Sequence, residues 1–357
     1  MRVGVATVYT PGIFGGAEFH AENLIDAIRD AGHMVHRIAL PFQYDPPEAS
    51  GRALELCEKV DFSRYGGGQI DTLICLKFPS YVIGHPNKRV WLLHQHRAAY
   101  DLYDTIFGWK RGRATTDAVR KRIIAADNKA LGALPTVFTN AGRVSERLKR
   151  YNDIDSTPLY HPPPDAGIIS SKPALPYIFV PSRLEVLKRQ DLLLKALART
   201  KQPIQAIFAG AGSMQRQFEE LAKGLELMDR VKFLGAIPRA EMLELYANAA
   251  AVFFGPVDED YGYITLEAML AHKPVITCTD SGGPLEFVID GETGVISEPQ
   301  PADLADALDR LMADPARAAE MGENGYQRYR ALDISWNNVV ETLLAPQPAL
   351  ATAAGAP

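Results

Sequence analysis

Two carboxylates, Glu259 and Glu267, flank a turn that is rich in glycine and aromatic residues. The apolar run before them predicts a buried strand, and the pattern after Gly262 predicts a helix. The first backbone N–H groups of such a helix, near Gly262, Tyr263 and Ile264, have no partner within the helix and favour an anion such as a diphosphate. Because carboxylates accept hydrogen bonds from sugar hydroxyls, one glutamate would hold a hexose and the other a ribose.

Two cations, Arg183 and Lys188, follow an apolar run that predicts a strand at 177–180. An arginine can grip phosphate oxygens with two hydrogen bonds, and a lysine acts as a mobile point charge. A solvated first helical turn explains this spacing about as well, and Arg189 is interpreted as such a surface residue.

Adjacent glycines, Gly15 and Gly16, lie between the first predicted strand and the first predicted helix. Glycines there let backbone N–H groups approach an anion closely. The spacing from Gly12 does not fit G-x-G-x-x-G, so a dinucleotide fingerprint is not indicated. A simple packing turn is the alternative.

Two histidines, His94 and His96, stand at the end of a predicted strand at 90–94. Alternation would place both on one face if the strand continued. We favour His94 as the site residue because the strand is predicted to break at Gln95, but the choice stays open.

No metal site is predicted. The two histidines lack a third ligand. The Asp-x-Asp pairs at 153–155 and 258–260 are interpreted as chance matches, so we expect no essential metal.

The elements that must position these residues alternate between strands and helices, which predicts two doubly wound α/β domains facing an interdomain cleft. The proline run 162–164 is interpreted as a linker. The predicted divisions are 1–165, a first Rossmann-like domain; 173–334, a second Rossmann-like domain; 335–345, a helix returning to the first domain; and 346–357, a disordered tail. The predicted strands are 3–8, 35–40, 72–76, 90–94, 136–139, 177–180, 205–209, 231–234, 251–254 and 275–277. The predicted helices are 17–30, 189–199, 214–225, 239–247, 264–271, 301–312, 317–330 and 335–344.

Composition limits the class of protein. The 357 residues carry a formal net charge of −5, which gives no general basic field for nucleic acid. Three distant cysteines match no zinc spacing and favour reduced thiols in a cytoplasmic protein. No signal peptide or spanning helix is expected, so membrane contact would be peripheral.

The Glu-x7-Glu spacing from Glu259 to Glu267, followed by Ala-Met, resembles the signature of family 4 (group 1) retaining glycosyltransferases of the GT-B fold. The family usually has Phe where this chain has Tyr261, and Pro in the next turn where it has Ile264 and Thr265. Neither departure removes a glutamate.

The resemblance implies that the domain at 1–165 binds the acceptor and that the domain at 173–334 binds the nucleotide sugar. It also implies roles for other residues. Arg183 and Lys188 would bind the donor diphosphate, and the Gly15–Gly16 backbone would meet the donor phosphate and the acceptor. His94 would lie near the reacting sugar. The loop that contains Gly235 and Ile237 resembles the loop that reads the nucleobase.

The function implied by the resemblance is transfer of a sugar, with retention, from a nucleotide diphosphate sugar to a glycan, lipid or small-molecule acceptor, in cell-surface polysaccharide or glycolipid synthesis. Glu259 would orient the sugar and Glu267 the ribose. No covalent carboxylate nucleophile is identifiable. The alternatives are an epimerase or phosphorylase of the same fold, or a binding module without turnover. The nucleotide sugar is the only co-substrate expected.

A basic cluster in the first domain comprises residues 109–113 and 120–122. Beside Phe107 and Trp109 it suggests contact with anionic lipid at the inner membrane face or with a charged glycan. A solvated helical face is the favoured explanation.

Overall fold

A computed structural model describes residues 1–12 and 15–346 of the chain. The chain divides into two compact units, Met1–His161 with the segment from Ser335 onward, and Pro162–Ile334. Apart from residue 346, the predicted disordered tail lies outside the described residues.

The first unit contains a six-stranded parallel sheet in the order β2-β1-β5-β6-β7-β8, with a two-stranded hairpin, β3-β4, beside it. The strands are β1 (Arg2–Tyr9), β2 (Met34–Pro41), β3 (Arg64–Tyr65), β4 (Gly68–Gln69), β5 (Thr72–Cys75), β6 (Lys88–Leu92), β7 (Phe138–Thr139) and β8 (Thr157–Pro158). The helices are α1 (Gly16–Asp30), α2 (Pro47–Lys59), α3 (Ala114–Gly132) and α4 (Gly142–Asn152).

The second unit contains another six-stranded parallel sheet, in the order β11-β10-β9-β12-β13-β14. The strands are β9 (Tyr177–Pro181), β10 (Gln205–Ala209), β11 (Val231–Phe233), β12 (Ala251–Phe253), β13 (Val275–Cys278) and β14 (Gly294–Ser297). The helices are α5 (Gln190–Leu197), α6 (Gln215–Gly224), α7 (Arg239–Asn248), α8 (Tyr263–Leu270), α9 (Pro284–Phe287), α10 (Pro301–Ala313) and α11 (Pro315–Ala331).

The second sheet is buried on both faces. In β9, Ile178 and Val180 join one apolar cluster, whereas Tyr177 and Phe179 join another. Alternating side chains of a strand point to opposite faces, so helices must cover both sides of the sheet. This explains why β9 reads as a continuous apolar run.

The last helix, α12 (Trp336–Leu344), follows the second unit in sequence but belongs to the first. Its Val339, Val340 and Leu343 are buried in the same cluster as Val3 and Val5 of β1. The first unit is therefore built from two separate stretches of chain.

The prediction that a strand reaches His94 was wrong. β6 ends at Leu92, and only Trp91 and Leu92 pair with β7. On the β7 side the ladder stops with that two-residue strand, although Leu93 N–H still donates to the Leu76 carbonyl at 2.9 Å on the other side. His94 therefore lies in the loop that follows the strand.

Candidate functional site

In the second unit, Lys188 and Glu259 form a close ion pair. Lys188 ends a short 3-10 turn after β9, and Glu259 lies in the loop after β12, which is the neighbour of β9 in the sheet. Their side chains are 16% and 26% exposed, so both reach solvent only in part. The Lys188 ammonium also lies 5.3 Å from the centre of the Phe254 ring. The structure thus brings a cation and a carboxylate together beyond the carboxyl ends of two adjacent parallel strands.

The loop that carries Glu259 is held by the loop after β13. Glu259 N–H donates to the Ser281 carbonyl at 2.9 Å, and Gly283 N–H donates to the Glu259 carbonyl at 2.8 Å. A Cβ at Gly282 would lie 2.5 Å from the Glu259 carbonyl oxygen. Only glycine therefore permits this close approach, which fixes the backbone of Glu259.

Arg189 is not the surface residue that the sequence suggested. Its guanidinium donates to the Gly255 carbonyl at 2.8 Å and the Pro256 carbonyl at 2.7 Å, and it pairs with both carboxylate oxygens of Asp280. Its backbone is left-handed, with φ 53°, which turns the side chain toward these loops. Arg189 thus braces the segment that leads to Glu259.

Helix α8 begins at Tyr263, one residue before the predicted start, and Gly262 is its N-cap. Gly262 has φ 84°, and a Cβ there would lie 2.9 Å from the Phe254 ring. Both facts demand glycine. The first turn of α8, with Tyr263 and Ile264, therefore starts directly behind the loop that carries Glu259.

Glu267 is buried on α8, and both of its carboxylate oxygens are engaged. Arg239 Nη2 donates to Oε1 at 2.6 Å, and the Tyr246 hydroxyl donates to Oε2 at 2.6 Å. Burial raises the pKa of Glu267, and the charge of Arg239 and the two hydrogen bonds oppose that rise. Sequence reasoning missed Arg239 as a partner, and no motif signalled it.

Arg183 is exposed, and among the described residues its side chain has no recorded hydrogen bond or ion pair. The Gly210-x-Gly212 turn shapes its loop, because a Cβ at Gly210 would lie 2.2 Å from the Ser182 carbonyl oxygen and one at Gly212 would lie 2.2 Å from that of Leu184. The turn is thus a close packing contact that supports the Arg183 loop.

The loop before α7 contacts the Gly210-x-Gly212 turn. Gly235 has φ 66° and open space where a Cβ would project, and its carbonyl accepts from Gly210 N–H at 2.8 Å. Ile237 packs at the edge of an apolar cluster. The predicted residues of the second unit therefore follow neighbouring strands of one sheet.

In the first unit, Gly15 caps α1 and Gly16 begins it. The Gly15 N–H donates to Glu18 Oε2 at 2.9 Å, and Lys77 Nζ lies 3.8 Å from Glu18 Oε1. Among the described residues that are not its chain neighbours, Glu18 alone has an atom, Oε2, within 4 Å of an added Gly15 Cβ. Packing within the described residues therefore does not demand glycine at this position.

The two histidines have different surroundings. His96 is buried, bonds Ser50 Oγ at 2.8 Å through Nε2, and contacts the ring of Trp109. Burial lowers its pKa to about 3, so it is neutral at physiological pH. His94 is half-buried, and its Nδ1 donates to the Gln95 carbonyl at 2.7 Å. A cavity of about 420 Å³ is lined by both, with aromatic residues around it.

Among the described residues, no group of three or more His, Cys, Asp or Glu side chains could hold a metal ion. Asp153 and Asp155 both pair with Lys149. The three cysteines are buried and unpaired.

Several residues of the basic cluster are buried or already paired within the first unit. Trp109 is buried, Arg120 donates to the Ala99 carbonyl at 2.8 Å, and Arg122 pairs with Glu58 at 2.7 Å. Ile106 and Phe107 beside it are 82% and 43% exposed. No helix in the described ranges is both long and apolar enough to cross a bilayer.

Comparison with known proteins gives a family match over part of the chain. Residues 168–328 match the model of the glycosyl transferases group 1. A relative, the alpha-1,3/1,6-mannosyltransferase ALG2 of Dictyostelium discoideum, is 38% identical over 113 residues, which are 32% of this chain and 27% of that protein. The match therefore spans about a quarter of that relative's length.

Solved structures match nearly the whole chain. Sucrose-phosphate synthase from Thermosynechococcus elongatus has a TM-score of 0.72 at 21% identity and covers 96% of both chains. Anabaena Alr3699/HepE in complex with UDP has a TM-score of 0.68 at 18% identity, covering 96% of this chain and 99% of that one. At these identities the likeness shows the fold, which is the GT-B fold of two Rossmann-like domains.

Proposed function

We infer that this chain, whose residues 168–328 belong to the group 1 glycosyl transferases, transfers a sugar from a nucleotide diphosphate sugar to an acceptor. One observation carries the proposal: Lys188 and Glu259 pair immediately before the start of α8, and the buried carboxylate of Glu267 lies one turn inside that helix. Lys188 can pair with an anion, Glu259 can accept hydrogen bonds from a hexose, and Glu267 can accept them from a ribose.

The donor diphosphate is assigned to the start of α8, at Gly262, Tyr263 and Ile264, with Lys188 and Arg183 as its cations. Helix N-termini and lysine or arginine side chains favour phosphate in this way. Opening of the Lys188–Glu259 pair would free the ammonium for phosphate and the carboxylate for sugar hydroxyls.

The other end of the donor is assigned to Glu267 and to the loop that contains Gly235 and Ile237. Glu267 accepts the ribose hydroxyls, and the loop backbone meets the base. The open space at Gly235 supports a close approach of a flat ring.

The chemical step we propose proceeds with retention. The bond between the anomeric carbon and the diphosphate oxygen breaks, and the negative charge that develops on the diphosphate is stabilised by Lys188, Arg183 and the α8 dipole. The acceptor oxygen bonds to the same face of the sugar, and its proton passes to the departing diphosphate. This step uses no covalent intermediate on a carboxylate and needs no metal.

The first unit is assigned to the acceptor. The backbone at Gly15 and Gly16 begins α1 and is assigned to this site, although the Gly15 N–H donates to Glu18. His94 is the histidine of this site, because His96 is enclosed by aromatic rings and Ser50. The acceptor class is a glycan, a lipid-linked sugar or a small molecule, in cell-surface polysaccharide or glycolipid synthesis.

We assign the chain to the cytoplasm, at the inner membrane face. Buried thiols without disulfides support a reducing compartment. The exposed Ile106 and Phe107 beside Lys110 support peripheral contact with anionic lipid. Phe107→Ser with Lys110→Ser should reduce co-sedimentation with vesicles that contain phosphatidylglycerol, and unchanged sedimentation would reject the contact.

The function is tested by donor turnover. Purified protein is incubated with UDP-, GDP- and ADP-sugars, and release of free nucleotide is measured with and without acceptor. Lys188→Ala and Glu259→Gln should each lower turnover by ~100-fold or more, the scale of one lost electrostatic contact.

Matched controls are Lys195→Ala and Glu220→Gln, because both residues lie in exposed helical ion pairs of the same unit. They should turn over as the unchanged protein does. Nucleotide binding without release of sugar from any donor would reject the transferase and leave a binding module.

A further inference from the structure

Arg239, the first residue of α7, contacts three groups at once. Its Nη2 donates to Glu267 Oε1 at 2.6 Å and to the Pro164 carbonyl at 3.1 Å, and its Nε donates to Asp165 Oδ2 at 3.0 Å. A planar guanidinium offers donors in a fixed fork, so these partners hold it in one orientation. Arg239 thus connects the carboxylate on α8 with the first residues of the second unit.

The contacts leave Glu267 with unused capacity. A carboxylate has about four acceptor sites, and Arg239 and Tyr246 use one on each oxygen. The two sites that remain, one per oxygen, match a vicinal diol that donates two hydrogen bonds. Arg239 also supplies the positive charge that favours ionisation of this buried carboxylate.

The anchor of Arg239 is itself well defined. Asp165 adopts a left-handed backbone with φ 61°, and its carbonyl accepts from Ile168 N–H at 2.9 Å. The segment therefore forms a turn that presents the Pro164 carbonyl and the Asp165 carboxylate to the same guanidinium. Both partners follow directly on the boundary between the units, at His161 and Pro162.

We propose that Arg239 is the positioning residue of the ribose subsite: anchored by Pro164 and Asp165, it holds Glu267 charged and oriented to accept both ribose hydroxyls. This inference rests on the proposed function, which places a nucleotide ribose at Glu267. Arg239 itself acts through Glu267 and needs no contact with the donor.

The test is the discrimination between ribose and deoxyribose. Calorimetry measures Kd for UDP, GDP and ADP and for their 2′-deoxy counterparts, and the ratio is compared between proteins. The unchanged protein should prefer the ribonucleotide by about tenfold or more, the scale of one hydrogen bond to a charged group. In Arg239→Ala the ratio should fall toward one, because the carboxylate is no longer held charged and aligned.

If Arg239→Ala does not fold because the positive charge is lost, Arg239→Lys is the second variant, which keeps the charge. One ammonium cannot serve Asp165 and Glu267 with the same geometry, so the ratio should lie between the other two. Arg216→Ala, an exposed arginine of α6, is the matched control and should keep the full ratio.

An unchanged ratio of the two Kd values in the Arg239 variants would overturn the assignment, whether or not both nucleotides bind more weakly. Equal weakening of both is the result that a merely structural role predicts. Failure of the unchanged protein to bind any of the six nucleotides would be a different result. It would reject the proposed function and this inference with it.

Discussion

At the scale of single residues, the second unit holds the charges of the proposed site in ion pairs. Lys188–Glu259 is partly exposed, and Arg239–Glu267 joins a buried carboxylate to a half-exposed guanidinium. Exposed pairs contribute little to the free energy of unfolding, and buried ones lose solvation. Binding of a charged ligand explains their presence better than stabilisation does.

A different buried carboxylate, Asp127 of α3, forms no ion pair with any of the described residues. It accepts hydrogen bonds from the hydroxyls of Tyr81 at 2.8 Å and Tyr100 at 2.7 Å. Burial raises its pKa to about 7. A carboxyl whose pKa is higher in the folded chain than in the unfolded one stabilises the fold fully below pH ~4, and that contribution is lost as the pH rises through 7.

We therefore predict that Asp127→Asn removes one component of the pH dependence of stability. The free energy of unfolding of the unchanged protein, minus that of the variant, should fall by on the order of 4 kcal/mol between pH 4 and pH 8 in urea titrations. Burial also lowers the pKa values of His20 and His161. Both proteins share the contribution of these histidines to the free energy of unfolding, so it cancels when the two free energies are subtracted. Asp26→Asn, at an exposed position, is the control, and parallel curves for Asp127→Asn would contradict the prediction.

Residue types and spacing were enough to select Lys188 and Glu259, which form an ion pair, and to predict Glu267 on the helix that follows. They were not enough to identify the residues that brace these three. Arg189 looked like a surface residue because its partners at 255, 256 and 280 are distant in sequence, and Arg239 was missed for the same reason. Such contacts depend on the tertiary fold and leave no local pattern.

At the scale of elements, the second unit was the more predictable one. β9 and β10 fall within one residue of their predicted bounds. β9 is an apolar run that is buried throughout, and β10 is apolar after Gln205, with Ala206, Phe208 and Ala209 buried. In the first unit, α3 was not located. Of its four buried residues, Thr116 and Asp127 are polar, so its buried face shows no clear apolar period. β8 has two residues, too short to leave a pattern, and β7 covers only the last two residues of the strand predicted at 136–139.

The glycine that starts α8 provides an element-scale prediction. Gly262→Ala should destabilise the protein by about 1–3 kcal/mol, because alanine disfavours a positive φ and its Cβ would meet Phe254. The displaced start of α8 should also weaken nucleoside diphosphate binding by about tenfold or more. Thermal unfolding and calorimetry measure the two effects.

Gly224→Ala is the matched control, because Gly224 is the last residue of α6, has no positive φ and has open space at its Cβ. It should leave binding unchanged and stabilise the protein by about 0.5–1 kcal/mol. If Gly262→Ala binds nucleotide as well as the control does, the start of α8 does not hold the diphosphate.

At the scale of the whole molecule, the chain leaves the first unit at His161 and returns to it at Ser335. The return matters energetically, since α12 contributes buried Val339, Val340 and Leu343 to the core beside β1. The second unit is by contrast one continuous stretch, which carries the family match at 168–328.

Leu343→Ala should therefore destabilise the first unit by about 2–5 kcal/mol, the usual cost of a large buried truncation. Hydrogen exchange of the β1 amides measures this loss directly. Glu341→Ala, on the exposed side of α12, should leave β1 as protected as before. Unchanged protection of β1 in Leu343→Ala would mean that α12 adds nothing to that core.

The central claim is that the second unit seats a nucleoside diphosphate at the start of α8. A crystal structure of the protein soaked with UDP, GDP or ADP tests it most directly. We expect the diphosphate within hydrogen-bond distance of Lys188 and the Gly262–Tyr263 backbone, with the ribose hydroxyls on Glu267. Density for the nucleotide at any other place, with Lys188 still paired to Glu259, would contradict the account.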